Sequence, residues 1–310
     1  FAGNATDNWV KFGKHTNDVV VYRGYNQQGS RYQDFNSFND CNTSNYNSDC
    51  TKRVIAKSGE PIYWRIIRTN ADGSIKLLYH GSSTTSTDAY LGFSSYSSEN
   101  STMSVGYMYG TSGSLENNRL NTNSSIIKDF LDTWYQENLL TNYDRYLSDD
   151  AIYCNDRNLA NGYNFSLNAL MYYKAYDRLY NTQSPTYNCT NEYDSFSGNN
   201  PKAKLDYPIA LMTADEASFA GGYYNSDSTP YYYYNSNNSS SIDQYSFWTM
   251  TPTYSDYSES RVYYVYKRLA SSPVAPIFGD LIRPVISIKG NSAYKSGDGS
   301  SSNPYEIKMN

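Results

Sequence analysis

The sequence predicts an α+β fold of twisted, mostly antiparallel sheets, with one or two packed helices and long loops rich in Tyr, Ser and Asn. Three observations predict it. Residues 61–81 read as two apolar strands around a tight turn. One clear amphipathic helix follows at about 124–140. The remainder alternates short β-branched or aromatic runs with Ser, Asn, Thr, Gly and Tyr, the residues of turns and loops.

Residues 1–18 are an Asn/Thr/Gly-rich lead carrying Trp9, Val10 and Phe12, expected as an N-terminal extended segment. Residues 19–310 are expected as a single large domain. Residues 19–22 form a short strand, and 23–52 read as an irregular insertion clipped by Cys41 and Cys50. In the hairpin, Ile62, Tyr63, Trp64, Ile66 and Ile67 suit a pleated, half-buried surface. Asn70-Ala71-Asp72-Gly73 supplies the turn, and Ile75, Leu77 and Leu78 begin the return strand.

Residues 105–110 read as one short strand inside a Ser/Thr/Asn-rich stretch. In the helix, Ile126, Phe130 and Trp134 recur every fourth position, as do Ile127, Leu131 and Tyr135. Lys128, Asp129, Asp132 and Glu137 mark the other side, and Asn123 or Ser124 is expected to cap it. At helical spacing, the Phe130 and Trp134 face reads as core rather than as a ligand site. Residues 151–154 read as a strand and 168–180 as a short helix. A second insertion spans 154–200, its turn-rich end stapled by Cys189.

Residues 209–212 are a buried strand. Thr213 with Glu216 three positions on is a capping box, and Gly221 suits the left-handed helix end. Asp215 and Glu216 therefore read as first-turn carboxylates favoured by the helix dipole, ahead of an acid/base pair. Residues 223–246 are Tyr/Ser/Asn-rich low complexity that includes Tyr231, Tyr232, Tyr233 and Tyr234. Strands are expected at 247–252, ending at Pro252, at 262–266 and at 281–289, with a last short one after the flexible turn at 296–303.

Composition narrows the class. Tyr numbers 36 of 310 residues, while charged residues make up 18%, below the roughly 25% usual for globular proteins. Tyr carries a large contact area on few rotatable bonds, so it orders cheaply at interfaces. Such chains look like extracellular matrix, adhesin or filament proteins; codon bias toward Asn and Tyr is the plain alternative. The net charge of −5 leaves no basic footprint for nucleic acid, and no apolar run approaches the roughly 20 residues of a spanning helix. The start at Phe1 without Met is read as a processed form or a chain lacking its leader.

Four cysteines fit an oxidising compartment. Cys41 and Cys50 have eight residues between them, Cys154 and Cys189 have 34. Two local disulfides, Cys41–Cys50 and Cys154–Cys189, are expected, although four cysteines allow three connectivities. Neither His15 nor His80 lies near a cysteine in sequence, so no zinc site is read.

Three stretches together carry a resemblance: Tyr-Trp-Arg-Ile-Ile-Arg with Asp-Gly-Ser-Ile-Lys-Leu-Leu, then Ala-Leu-Met-Thr-Ala-Asp-Glu-Ala-Ser-Phe-Ala-Gly-Gly, then Phe-Trp-Thr-Met-Thr-Pro with Arg-Pro-Val-Ile-Ser-Ile. Over roughly residues 8–13 and 60–307 the chain resembles a large, mostly uncharacterised set of secreted or surface proteins from Firmicutes and related gut bacteria. Their C-terminal halves are similar to the formylglycine-generating-enzyme and C-type-lectin-like fold. The resemblance implies a C-type-lectin-like α+β domain with long variable loops. Formylglycine-generating enzymes use a cysteine pair near a C-terminal groove. Here every cysteine lies at or before Cys189, so oxidase chemistry is not expected. In the lectin-like branch the region presents a binding surface, which would fall on Trp248, Tyr254, Tyr257 and Tyr263.

No Gly-x-Ser-x-Gly elbow, His-Glu-x-x-His or phosphate-cradling loop occurs. Gly297-Asp298-Gly299 lacks the remaining ligands of a calcium loop; Ca²⁺ at an Asp/Asn-rich loop stays open as the one cofactor. Eight Asn-x-Ser/Thr sequons are about what chance supplies in such a composition. The expectation is a non-enzymatic extracellular structural protein, a self-assembling filament subunit in which residues 1–12, with Phe1, Trp9 and Phe12, are donated as a strand to the next copy. The alternative is a lectin-like adhesin for glycan or host protein, with Tyr231 to Tyr234, Trp248 and Tyr254 as an aromatic platform.

Overall fold

The computed structural model describes residues 7–29, 31–111, 113–224, 246–266, 269–274, 279–292 and 294–309. Its centre is the expected hairpin. Pro61–Thr69 pairs antiparallel with Ile75–Gly81, and the Asn70 to Ser74 turn closes on Gly73 at positive φ. The strands extend into a seven-stranded sheet. On one side of the hairpin Ile75–Gly81 pairs with Val285–Ile288, which pairs with Ile209–Ala210. On the other, Pro61–Thr69 pairs with Trp9–Lys14, then Tyr305–Ile307 and Tyr294–Ser296. All neighbours are antiparallel except Trp9–Lys14 with Tyr305–Ile307.

This placement corrects the reading of the N-terminus. Trp9 and Phe12 are both 1% exposed, and their strand is held between two strands of its own chain. The reason is packing: Phe12 lies edge-on against Tyr143, and the Arg65 guanidinium lies 4.0 Å over the Trp9 ring as a cation–π contact. Phe1 lies outside the described residues.

The helix Ile126–Asn138 packs on the sheet, with Trp134 edge-on to Trp64, Tyr79 and His15. Trp64 is fully buried and donates its indole N–H to the Phe12 carbonyl at 2.7 Å. Two details differ from expectation. Asn123–Ser124 pairs with Met108–Tyr109, so Ser125 is the cap instead, accepting from Lys128 N at 3.2 Å. Met108–Tyr109 is also all that forms of the strand expected at 105–110. Lys128 turns inward rather than to solvent, because its ammonium bonds Asp132 and, at 3.3 Å, Asp206.

A second, six-stranded sheet runs Leu269–Pro273, Ser260–Val265, Phe247–Ser255, Asp280–Leu281, Phe93–Ser94, with Met171–Tyr172 pairing on Phe247–Ser255 as well. Phe247–Ser255 does not end at Pro252. Its register with Ser260–Val265 slips on both sides of the proline, and such irregularities admit a residue lacking an N–H.

Residues 23–52, expected as irregular, contribute two strands and a helix. Tyr32–Phe35 and Ser48–Ala56 flank Val19–Tyr25 in a three-stranded sheet, beside the helix Phe38–Thr43. Buried Asp34 anchors it, accepting twice from Arg23 at 2.7 Å. Residues 168–180 hold the strand Met171–Tyr172, the short helix Lys174–Tyr176 and the start of the wide turn Asp177–Asn181. Pairing to Tyr254 and Ser255 draws the first part into a sheet. Both disulfides form as expected, Cys41–Cys50 and Cys154–Cys189. The fold is an α+β mix of mostly antiparallel sheets, and no helix among the described residues is long and apolar enough to cross a membrane.

Candidate functional site

The expected platform separates into parts. Tyr231, Tyr232, Tyr233 and Tyr234 lie outside the described residues. Trp248 is fully buried, edge-on to Tyr96, and its indole N–H donates to the Ser94 carbonyl at 2.8 Å. Tyr263 is also fully buried. Trp248 and Tyr263 are core aromatics, a correction to their reading as surface residues. Both are carried by strands that the second sheet needs for packing. Tyr257 is 82% exposed, and no ring contact to it is found among the described residues. Tyr254 is the one of the four that is half-buried and meets a further partly exposed tyrosine, Tyr172.

Those tyrosines form a ladder. Tyr254 approaches Tyr172 with ring centroids 5.7 Å apart, because the register of Met171–Tyr172 on Phe247–Ser255 sets the two residues opposite each other. Tyr172 meets Tyr176 at 4.3 Å, and Tyr176 meets Tyr180 at 5.0 Å. The four-residue interval brings successive side chains onto one face as the chain coils from strand into helix and wide turn. Tyr224 lies edge-on to Tyr180 at 5.2 Å and to Tyr263 at 5.5 Å, linking the ladder to the core. Tyr163 extends it outward at 5.4 Å from Tyr172. Tyr180 is 46% and Tyr163 38% exposed, while Tyr172, Tyr176, Tyr224 and Tyr254 are half-buried.

The geometry decides what this surface offers. The Tyr172 and Tyr176 rings are inclined at 34° to each other, and those of Tyr176 and Tyr180 at 31°. Burial, and then the neighbouring phenols, push the Tyr176 hydroxyl up to about 12. Burial raises Tyr172 likewise. These phenols stay protonated near neutral pH, able to donate as well as accept. The half-buried Tyr254 already donates to Glu259 Oε1 at 2.8 Å.

Beside the ladder is a polar cleft whose floor carries Arg68, Arg178, Asp156 and Asp215, with the Cys154–Cys189 bridge on its wall. Arg178 holds Asp215 through two bonds of 2.6 and 2.7 Å and Asp156 at 2.8 Å. Arg68 holds Glu216 at 2.8 Å and lies over the Tyr187 ring. Asp215 and Glu216 thus act as helix-start carboxylates within ion pairs, and the Thr213–Glu216 capping box forms as read from the sequence. Asp156 and Asp215 are both engaged by the Arg178 guanidinium, while Asp72 of the same cleft accepts from the Ser74 and Ser148 hydroxyls.

Elsewhere, the residue sequence reasoning missed most clearly is Asp194. It is fully buried and accepts from Arg157 Nε at 2.6 Å, from the Arg157 amide and from Arg119, tying residues 154–200 to the body of the fold. Nothing in its local sequence marks it. Among the described residues no group of three or more His, Cys, Asp or Glu side chains is arranged to hold a metal ion. At 297–299, the Asp298 carboxylate accepts from its own turn, at Ser300 N. No family model, curated protein or solved structure matches the chain.

Proposed function

We propose that this chain is a non-enzymatic structural protein of the bacterial cell surface that assembles with copies of itself through the tyrosine ladder. One observation carries the reading: a row of tyrosines with ring centroids 4.3 to 5.7 Å apart, half-buried at Tyr172, Tyr176 and Tyr254 and exposed at Tyr163 and Tyr180. Such a surface suits contact with another protein, where aromatic edges pack and hydroxyls bond to backbone. The two disulfides fit an oxidising, extracellular setting. Arg178 holds Asp156 and Asp215 as ion pairs, which supports a structural rather than an acid/base role for those two carboxylates. Strand donation by residues 1–12 is not part of the proposal, because Trp9–Lys14 is engaged in its own sheet.

The test is light scattering with electron microscopy of native, non-reduced protein, beside a Tyr176→Ser/Tyr180→Ser variant. Higher-order or fibrous particles that shrink to single chains in the variant are expected. A wild-type protein that stays monodisperse at every concentration overturns the reading. The polar cleft flanked by exposed Tyr187 favours one second reading, a lectin-like module for glycan or host protein. A glycan array with native protein tests it, and no bound glycan would remove it.

A further inference from the structure

Among the described residues, the two shortest tyrosine–tyrosine separations in the molecule share one residue. Tyr176 lies 4.3 Å from Tyr172 and 5.0 Å from Tyr180, centroid to centroid. Other pairs are wider or more enclosed. Tyr25 and Tyr32 are 5.9 Å apart, Tyr294 and Tyr305 6.0 Å. Tyr135 stacks on Tyr207 at 5.2 Å, but it is fully buried and its hydroxyl is engaged by Asp144. Among the described residues, the closest tyrosine–tyrosine ring spacings and a solvent-exposed neighbour coincide at Tyr176.

We propose that Tyr176 is a site of oxidative modification, joined by a carbon–carbon bond to one of the tyrosines stacked on it, Tyr172 or Tyr180, within a single chain. The co-reactant is a peroxide-activated one-electron oxidant of the haem-peroxidase class. Each of two tyrosines gives one electron to the oxidant and its phenolic proton to solvent. The two phenoxyl radicals join through the carbons ortho to oxygen. Each ortho hydrogen then moves to its own phenol oxygen, restoring both rings. The pair has lost two hydrogen atoms, and one hydrogen peroxide, taking the two electrons and two protons, becomes two waters.

The surroundings favour this step at Tyr176. Tyr180 and Tyr163, 46% and 38% exposed, are where an oxidant reaches the ladder. Ring separations of 4.3 to 5.7 Å from Tyr163 and Tyr254 through Tyr172 to Tyr176 let an electron vacancy move inward from either end. Tyr254 has a proton acceptor in place, its hydroxyl donating to Glu259 Oε1 at 2.8 Å, so oxidation there needs no water. Once two vacancies share the ladder, the coupling partners are already stacked, and no chain movement is needed to bring them together. The proposal concerns one chain alone and stands whether or not the ladder also binds further copies.

The experiment treats dilute, native protein with a haem peroxidase and hydrogen peroxide, then digests it with trypsin. Lys174 and Arg178 flank Tyr176, so cleavage isolates it on the peptide of residues 175–178. The expected result is dityrosine fluorescence and a linked peptide pair, two hydrogens lighter than its parts, joining 175–178 to the peptide that carries Tyr172 or Tyr180. Tyr176→Phe, which keeps the ring packing, should remove that linked pair. Tyr257→Phe, at an exposed residue without a ring neighbour among those described, should leave its yield unchanged. Cross-links confined to other tyrosines, or a linked pair whose yield is unchanged in Tyr176→Phe, would overturn it.

Discussion

Buried Glu216 has Lys76 Nζ at 2.9 Å and Arg68 Nε at 2.8 Å, and Thr213 N donates to its second oxygen. Burial pushes its carboxyl up, but the Lys76 and Arg68 charges and the Thr213 amide outweigh that and hold it down at about 2. Removing one member of such a buried group leaves the other charges uncompensated, which costs about 3–5 kcal/mol. Glu216→Gln should therefore lower the urea midpoint of unfolding sharply at neutral pH; an unchanged midpoint would show the cluster to be energetically idle. The two histidines set an acid limit. Burial lowers His15 to about 4 against the attraction of Glu60, and burial with the Arg283 and Arg65 charges holds His80 well below its usual value. A group more easily protonated when unfolded contributes stability above its unfolded pKa and loses it as pH falls. The histidine contribution is complete above about 6.5 and declines toward about 4. The Glu216 contribution is complete above about 4.5 and declines toward about 2. Urea midpoints should thus fall continuously from pH 6.5 downward, and a His15→Phe/His80→Phe variant should flatten the upper part of that fall. A variant with the same slope as the wild type between pH 6.5 and 4 would remove the histidines from the account.

At the scale of elements, local signals were legible and long-range pairings were not. The hairpin at 61–81 could be read because alternation and its turn lie within one stretch. The capping box at Thr213 and Glu216 could be read because its two bonds span three residues. Residues 23–52 hid two strands, since these pair on Val19–Tyr25 across the Phe38–Thr43 helix and intervening turns, with Asp34 anchored through Arg23, and no local pattern announces that pairing. The four-residue spacing of Tyr172, Tyr176 and Tyr180 was visible in the sequence. Tyr254 and Tyr224 join them only through sheet register and loop return, which no spacing announces. Two element-scale measurements follow. Thr213→Ala removes the side-chain acceptor for Glu216 N and should cost about 1 kcal/mol, read as a modest fall in melting temperature. Replacing Cys154 and Cys189 together by Ser opens a loop of sequence separation 35, a loss of about 3–4 kcal/mol by chain entropy. Thermal unfolding indistinguishable from the wild type would mean that the buried Arg157–Asp194 pair alone secures the segment.

For the whole molecule, the two ends of the described chain meet in one sheet. Trp9–Lys14 lies parallel to Tyr305–Ile307, and Tyr294–Ser296 forms the outer edge with its side chains exposed. The sequence marked both terminal segments as short and extended, but not that they would pair, because parallel contact between residues this far apart leaves no local trace. The pairing alters how a truncation must be interpreted. Deleting residues 1–12 removes an interior strand, so loss of assembly after that deletion would follow from damage to the fold itself. Removing residues 294–309 is the more informative cut. It takes away the two outermost strands and leaves the far side of Trp9–Lys14 with unpaired backbone donors and acceptors. Open strand edges of this kind pair with other chains. Such a truncated protein should show a mass that rises with concentration in light scattering, and the rise should persist with Tyr176→Ser/Tyr180→Ser, since it arises from the sheet edge and not from the ladder. A truncated chain that remains monomeric in the tyrosine variant would mean that the outer strands are not what closes this edge.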